Sequence, residues 1–281
     1  MTTAQQPAAN TGRPHLSATQ LELAGKCMEA YRRRYIEGHR IPPGIALSKG
    51  KAVHSAAEAN FGQKMESFRD LPASDIVDLS VATFDQEIAV PEFDFTDDER
   101  DQGTDIVIGK ARDSVADMAK IHAEAQAPDY QPILVEGEIT IPLPDAPRDL
   151  LAKIDLIDDQ HRVIDFKTAG KSKTQADADS SIQLTIYAAA HHAHYGSSPE
   201  DIRLDTIVQT KTKTTRNIVS TERSMVDFQP LANRINVVLH QIDAGIFAPT
   251  TPGAWWCGPK WCGYFSTCPY VNAERAAKAA E

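Results

Sequence analysis

The feature that most restricts the fold is a predicted β-hairpin with charged residues in otherwise apolar strands. Residues 149–157 and 162–167 are rich in apolar and β-branched side chains, and the polar residues 158–161 form the turn between them. Successive side chains of a strand point to opposite faces, so we expect Asp155 and Asp165 to be near neighbours across the hairpin. Adjacent carboxylates repel each other, and an apolar sheet removes their solvation. A bound Mg²⁺ or Mn²⁺ would relieve both costs, because these cations take oxygen ligands.

Lys167 belongs to the same predicted site, because alternation along the strand puts it on the face of Asp165. A lysine beside a metal ion can orient or activate an attacking water, or stabilise charge that develops on a phosphorus centre. A D-x-K tripeptide also occurs by chance on solvated sheet faces. The motif therefore indicates metal-dependent chemistry only together with the other motifs of the chain.

The rest of the chain predicts an α/β fold with a mostly helical N-terminal part. Helices are predicted at residues 17–36, 48–68, 74–88, 97–127, 178–195 and 225–246. Further strands are predicted at residues 133–141, 202–209 and 217–221. We expect a disordered tail at 1–15, a helical part at 16–130, a catalytic core at 131–247 and a C-terminal segment at 248–281, which together form one globular unit.

The charge balance and the apolar pattern exclude some classes of protein. The formal net charge is −10, which argues against a protein that coats DNA nonspecifically. The objection is weaker for an enzyme that cuts with bound metal, since some acidic residues are then ligands. Candidates for contacts with the DNA backbone are the local basic residues Arg32, Arg33, Arg34, Lys211, Lys213 and Arg216. No segment is apolar enough to cross a bilayer or resembles a secretory signal, so we expect a cytoplasmic location.

Four short motifs resemble, in their order along the chain, the RecB-like branch of the PD-(D/E)xK nuclease superfamily. They are Gly50–His54 on a predicted helix, Ala152–Asp155 and Ile164–Thr168 on the hairpin strands, and Gln183–Tyr187 on a later helix. The family pattern is a helix G-x-x-x-H, a strand G-x-x-D, a strand D-x-K-T and a helix Q-x-x-x-Y, and Ala152 replaces its second glycine. The resemblance implies a restriction-endonuclease-like core, with a mixed central sheet flanked by helices, and metal-dependent hydrolysis of DNA phosphodiester bonds.

The resemblance also implies roles for individual residues. The expected ligands of Mg²⁺ or Mn²⁺ are His54, Asp155, Asp165 and the backbone carbonyl of Phe166. Lys167 is the expected catalytic lysine. Gln183 and Tyr187 lie four residues apart, hence on one helix face, and are expected to line the catalytic site or contact the DNA strand. Glu136, on the preceding strand, is expected behind the metal ligands rather than among them.

The chain has four cysteines, and three of them lie close together near its C-terminal end. They are Cys27, Cys257, Cys262 and Cys268. A disulfide framework is not expected in a cytosolic protein of this size. Four thiolates suit a 4Fe–4S cluster or a tetrahedral Zn²⁺. The arrangement resembles the iron–sulfur staple of AddB-type helicase–nucleases and CRISPR-associated RecB-like exonucleases. This resemblance implies a structural 4Fe–4S cluster that ties the first helix to the C-terminal segment, with Zn²⁺ as the alternative.

The function implied by the resemblance is that of an exonuclease acting on single-stranded DNA or DNA ends. Its setting would be recombination, repair, CRISPR spacer acquisition or a phage. No P-loop motif is present, so we expect a nuclease module without its motor, with a helicase or an integrase as candidate partner. Two alternatives stay open: a non-catalytic subunit that binds DNA ends in a helicase–nuclease or integration complex, and a zinc-stapled adaptor without a role on DNA. Asp155, Asp165 and Lys167 favour the enzyme, because a DNA clamp has no need of all three.

Overall fold

The computed structural model describes residues 13–91, 93–143, 146–251 and 253–271. The strands are β1 (His15–Ser17), β2 (Pro132–Ile141), β3 (Asp149–Asp158), β4 (Arg162–Ala169), β5 (Asp201–Gln209) and β6 (Thr214–Thr221). The helices are α1 (Ala18–Lys26), α2 (Met28–Tyr31), α3 (Ile45–Ser67), α4 (Ala73–Ile88), α5 (Asp97–Gln102), α6 (Thr104–Ile121), α7 (Gln175–Asp179), α8 (Ile182–Tyr195) and α9 (Met225–Asp243). Residues 1–12 of the predicted tail and residues 272–281 of the predicted C-terminal segment lie outside the described residues.

The chain divides into two compact units. The sheet unit comprises the described residues of 13–15 and 42–228, and the cysteine unit comprises those of 16–41 and 229–271. The sheet unit contains β2 to β6 and α3 to α8, whereas the cysteine unit contains α1, α2 and most of α9. Among the described helices, none is long and apolar enough to span a membrane.

The strands β2 to β6 form a mixed sheet in which neighbours in the sheet follow each other along the chain. The pairs β2–β3, β3–β4 and β5–β6 are antiparallel, and β4–β5 is parallel. A parallel pair needs a crossover connection, and the segment with α7 and α8 supplies it. The expected fold class, a mixed central sheet with flanking helices, is confirmed.

Aromatic packing fixes α3 against the sheet. Phe61 of α3 stacks on Phe166 of β4, with 5.4 Å between the ring centroids and 9° between the ring planes. Both rings belong to a buried cluster that includes Tyr130 and Leu156. Full burial of a Phe side chain contributes about 1.5–3 kcal/mol to stability. The cluster therefore positions His54, which lies seven residues earlier and hence on the same face of α3.

Three of the predicted helices are interrupted. The helix predicted at 17–36 breaks at Cys27, whose extended backbone (φ −163°) separates α1 from α2, and residues 32–36 form a π-helical turn. The helix predicted at 97–127 breaks at Gly103 (φ +89°). The helix predicted at 178–195 breaks at Ser181, whose Oγ caps α8 by accepting a hydrogen bond from the backbone N of Leu184 (3.2 Å). Periodicity misses such breaks, because one residue outside helical geometry hardly changes the apolar spacing on either side.

Candidate metal centre

The two hairpin aspartates lie where the pairing of β3 with β4 ends. The last paired residues are Leu156 and Ile164, so Asp155 and Asp165 are the next positions along the two antiparallel strands. The backbone N–H of Phe166 donates to Asp155 Oδ2 at 2.8 Å. A side-chain carboxylate thus takes the place of a strand-to-strand hydrogen bond, and the hairpin opens at the site.

His54 approaches the hairpin from α3. Its Nε2 forms a short hydrogen bond with Glu136 Oε1 and lies 3.8 Å from Asp155 Oδ1. His54, Glu136 and Asp155 each offer a ligand atom, and these atoms lie within 4.8 Å of one another. One imidazole nitrogen and two carboxylate oxygens at this spacing are a suitable donor set for a divalent cation.

Glu136 stands among these groups, although we expected it behind the metal ligands. Its backbone is in the left-handed region (φ +48°), an unusual conformation for a residue with a side chain. The pairs on either side of it, Val135 with Leu156 and Gly137 with Ile154, place Glu136 opposite Asp155. One sequence signal marks this point: a Cβ at Gly137 would lie 2.2 Å from Leu134 Cδ2, so any larger residue there would displace the Leu134 side chain.

Asp165 and Lys167 form the second half of the site. Lys167 Nζ donates to Asp165 Oδ1 at 2.8 Å, and the Asp165 side chain is fully buried. The other oxygen, Oδ2, is one of the buried side-chain atoms without a hydrogen-bond partner among the described residues. A buried carboxylate oxygen without a partner is costly, and a bound cation would satisfy it.

The charges of the site shift several pKa values. Burial, assisted by the negative charge of Asp165, raises the pKa of Asp155 to about 7. Burial also raises the pKa of Asp165, against the opposing effect of Lys167. Burial alone would lower the pKa of His54, but the hydrogen bond to Glu136 and the charge of Asp155 outweigh it and raise the pKa. The raised pKa values of two adjacent carboxylates indicate that the site has too little positive charge to stabilise both in their ionised form.

Gln183 and Tyr187 are linked to this site through the backbone of β3. Gln183 Nε2 donates to Tyr187 Oη at 2.7 Å, and Tyr187 Oη donates to the carbonyl oxygen of Lys153. Tyr187 is 2% exposed, so its hydroxyl cannot reach a DNA strand without rearrangement. The pair therefore holds in place the strand that carries Asp155, and Lys153 itself pairs with Glu136 at 2.7 Å.

A pocket of about 360 Å³ lies beside these groups. His54, Lys167 and Phe166 border it, together with Gly50 and Thr168. A Cβ at Gly50 would approach Thr168 Oγ1 at 3.2 Å, so the motif glycine lets α3 pass close to β4. The described geometry links the Phe166 backbone to Asp155 through its N–H, and the role of its carbonyl as a ligand stays a prediction.

The four cysteines lie together in the cysteine unit. Cys27, Cys257, Cys262 and Cys268 all border one cavity of about 460 Å³. None of the four forms a disulfide. Burial raises the pKa of Cys262, and the neighbouring cysteines raise it further. Four thiols around one cavity match the arrangement predicted for a bound metal centre.

The basic residues expected to contact DNA have different environments. Arg216 belongs to a buried network, because its guanidinium contacts Asp205, Asp129 and the hydroxyl of Tyr130. Lys211 and Lys213 are exposed in the turn between β5 and β6. This side chain therefore contributes to the packing of the sheet unit, and its contact with DNA stays a prediction.

The Arg32–Arg34 cluster lies in the cysteine unit. Arg32 pairs with Glu29 and Glu37, and Arg33 pairs with Glu29 and donates to Thr267 Oγ1 at 2.8 Å. Arg34 is exposed, with its guanidinium 5.5 Å from the centroid of its neighbour Tyr35. The first two arginines therefore have structural partners, and Arg34 is the member of the cluster best placed to meet a phosphate.

We compared the chain with families, curated proteins and solved structures, and the family comparison agrees with the fold. The chain matches the model of the PD-(D/E)XK nuclease superfamily over residues 15–269. Comparison with curated proteins returns no match. Among solved structures, the chain is similar to a candidate exonuclease of Eubacterium rectale, at 14% identity and a TM-score of 0.49 over 89% of this chain and 91% of that one. It is also similar to SSO0001, at 14% identity and a TM-score of 0.33 over 89% of this chain and 95% of that one.

Proposed function

Because the chain belongs to the PD-(D/E)XK nuclease superfamily, we propose that it is a metal-dependent DNA exonuclease of the RecB-like branch. The observation that carries the proposal is the group formed by His54, Glu136 and Asp155 beside the unpartnered oxygen of Asp165. Nucleases of this superfamily use divalent metal ions, and this donor set fits Mg²⁺ or Mn²⁺. The substrate is single-stranded DNA or DNA ends.

Each residue of the site has a role in this proposal. His54, Glu136, Asp155 and Asp165 would hold the metal ion, which would polarise the scissile phosphate and activate a water. Lys167, fixed by its hydrogen bond to Asp165, faces the reacting phosphate and stabilises its developing charge. Gln183 and Tyr187 are positioning residues, because they act on the backbone of Lys153 and not on the substrate.

The second part of the proposal is a 4Fe–4S cluster in the cysteine unit, held by Cys27, Cys257, Cys262 and Cys268. The four cysteines border one cavity and none of them forms a disulfide, so four thiolates are available to a 4Fe–4S cluster or, as the alternative, to a tetrahedral Zn²⁺. The choice of a cluster rests on the order of the cysteines along the chain, one near the start and three near the end, which resembles the iron–sulfur staple of RecB-like nucleases.

The nuclease proposal is tested by cleavage of end-labelled DNA with anaerobically purified protein in Mg²⁺ or Mn²⁺. We expect degradation of linear single-stranded DNA and protection of a circular single strand, since an exonuclease needs an end. The variant Asp165→Ala/Lys167→Ala should lose at least about a hundredfold in rate. The matched control is Asp159→Asn, which changes an exposed aspartate in the turn of the same hairpin and should keep the activity.

Two results would contradict the proposal. Cleavage of the circular strand would show an endonuclease. Metal-loaded protein that binds DNA ends without cleaving them would instead support the non-catalytic end-binding subunit.

A further inference from the structure

All three tryptophans of the chain lie in one seven-residue segment of the cysteine unit, residues 255–261. Trp255 is 68% exposed and Trp261 is 60% exposed, although a tryptophan side chain is largely buried in most proteins. Their ring centroids are 5.4 Å apart and the ring planes are perpendicular. Lys260 Nζ lies 5.3 Å from the centroid of the Trp261 ring. Two large rings and one cation therefore share a small exposed surface, which we name the tryptophan patch.

The backbone beneath the patch is held by a series of turns. Cys257 N donates to the carbonyl oxygen of Ala254 at 2.9 Å, and Cys262 N donates to that of Gly258 at 2.9 Å. Trp256 differs from the other two tryptophans, because its indole N–H donates to Thr250 Oγ1 at 3.1 Å. The third ring thus anchors the segment while its neighbours face solvent. Exposed rings on a fixed backbone lose little conformational freedom on binding a ligand.

The charge around the patch differs from that of the whole chain. The sequence of the cysteine unit over residues 16–41 and 229–271 has seven Lys and Arg against four Asp and Glu, a net charge of +3, whereas the whole chain has −10. From residue 244 to residue 271, Lys260 is the one charged residue. The aromatic surface is therefore free of acidic side chains in its own segment, which makes it electrostatically suited to a polyanion.

We propose that Trp255, Lys260 and Trp261 form a stacking site for single-stranded DNA. Nucleic acid bases stack on exposed aromatic rings irrespective of sequence, and a nearby cation contacts the phosphate that links them. Perpendicular rings suit two successive unstacked bases, which a single strand supplies and a duplex does not. The choice of DNA as the ligand rests on the proposed nuclease function. The site itself involves none of the carboxylates that hold the metal ion.

The test measures binding of fluorescein-labelled oligo(dT) in the presence of a chelator, so that no cleavage occurs. All the tryptophans lie at residues 255, 256 and 261, so quenching of tryptophan fluorescence by unlabelled oligo(dT) reports on this segment. We expect quenching on titration, and at least about tenfold weaker binding by Trp255→Ala/Trp261→Ala. The variant Trp255→Phe/Trp261→Phe should recover part of the affinity, because phenylalanine still stacks. Lys260→Ala should reduce the slope of log affinity against log salt by about 0.7.

The matched control is Trp256→Phe, which changes the anchored ring. Its affinity for oligo(dT) should stay within about twofold of that of the wild type. Comparison of melting temperatures excludes unfolding as the cause of any loss. Unchanged affinity of the double alanine variant would overturn the stacking site and leave the nuclease proposal standing if the wild type still cleaves DNA. The stacking site would also be overturned if a duplex of the same length bound equally well. The same holds if the tryptophan patch bound a protein partner and did not bind oligo(dT).

Discussion

The properties of Asp155 and Asp165 come from their position, at the point where the strand pairing of the β3–β4 hairpin ends. Pairing of β3 with β4 stops at Leu156 and Ile164, and the next two positions along the strands are the two carboxylates. Lys167 satisfies one oxygen of Asp165, and the Phe166 N–H satisfies one oxygen of Asp155. Their remaining oxygens are available to a cation, which would offset the cost of burying the two carboxylates.

The raised pKa of Asp155 predicts how the metal-free protein responds to pH. Its pKa is about 7 when folded, against about 3.9 when unfolded, so the folded state binds the extra proton between these values. In chelator, this residue should therefore lower the free energy of unfolding as the pH rises from about 4 to about 7. Asp155→Asn removes the effect, and should stabilise the metal-free protein at pH 8 by roughly 1–3 kcal/mol.

Urea unfolding of the wild type and Asp155→Asn, at pH 5 and pH 8 in chelator, measures this effect. Asp159→Asn, in the exposed turn of the same hairpin, should behave like the wild type at both pH values. A variant Asp155→Asn that is no more stable than the wild type at pH 8 would show that the carboxylate is not strained. Added Mn²⁺ should stabilise the wild type more than the variant, because only the wild type has both carboxylates.

The residues of the site were predictable to different degrees. Strand alternation brings Asp165 and Lys167 to one face and Asp155 opposite, so these were visible in the sequence. His54 needed the family motif, since nothing in an isolated helix points to it. Glu136 was expected behind the metal ligands, and its position among them was not predicted. This position depends on a left-handed backbone and on the register of β2 with β3. Neither feature follows from residue type alone.

At the scale of elements, α3 is the part on which the site depends most. It carries Gly50 and His54 at one end of the contact and Phe61 at the other, and the stacked pair of Phe61 and Phe166 fixes its distance from β4. Lys64 extends the contact by donating to the carbonyl oxygen of Ala127 at 2.7 Å. Movement of this helix would separate His54 from the carboxylates without altering either strand.

Two phenylalanines on or next to the same helix allow a matched test of this packing. Phe61 is 1% exposed, whereas Phe68, at the end of α3, is 71% exposed. Phe61→Ala should lower the free energy of unfolding by about 3–5 kcal/mol, through lost burial and the cavity left behind. Phe68→Ala should change it by less than about 0.5 kcal/mol. Similar losses for the two variants in urea unfolding would show that α3 is not anchored by the aromatic cluster.

The elements themselves were largely predictable, and their interruptions were not. The two hairpin strands β3 and β4, the crossover helix α8 and the strand β5 that follows it appear near the predicted ranges, because apolar alternation and helical periodicity persist over many residues. The break at Cys27 is a different case. No residue pattern in this predicted helix indicates the extended backbone of Cys27. The structural context of the break is the cavity bordered by the four cysteines, one of which is Cys27.

At the scale of the whole molecule, charge and chemistry are divided between the two units. The sheet unit has the candidate metal centre and most of the acidic residues, and the cysteine unit has the four thiols, the tryptophan patch and a net positive sequence. The net charge of −10 therefore says little about binding to DNA, since it averages over parts with opposite balance. In the function we propose, the two metal sites are divided in the same way: the site in the sheet unit serves the chemistry, and the cluster in the cysteine unit joins chain segments that are distant in sequence.

The cluster proposal predicts a selective loss. Cys27→Ala removes one of four ligands, so the purified protein should lose its iron and its absorbance near 400 nm, and its melting temperature should fall. Mn²⁺ binding by the carboxylates of the sheet unit should persist in this variant at temperatures at which the sheet unit stays folded. Iron and sulfide analysis with thermal melting measures both effects. Ser266→Ala, an exposed position between the third and fourth cysteines, is the control and should keep its iron. Undiminished iron in Cys27→Ala, or zinc in the wild type, would contradict the proposal.

Calorimetric titration with Mn²⁺ measures whether the buried carboxylates and His54 form a divalent metal site. We expect saturable binding to the wild type and to Asp159→Asn. We expect at least about a tenfold loss of affinity in Asp155→Asn/Asp165→Asn, because two anionic ligands are removed. Unchanged Mn²⁺ affinity in this double variant, with folding verified by circular dichroism, would contradict the proposed metal site and remove the chemical basis of the proposed nuclease.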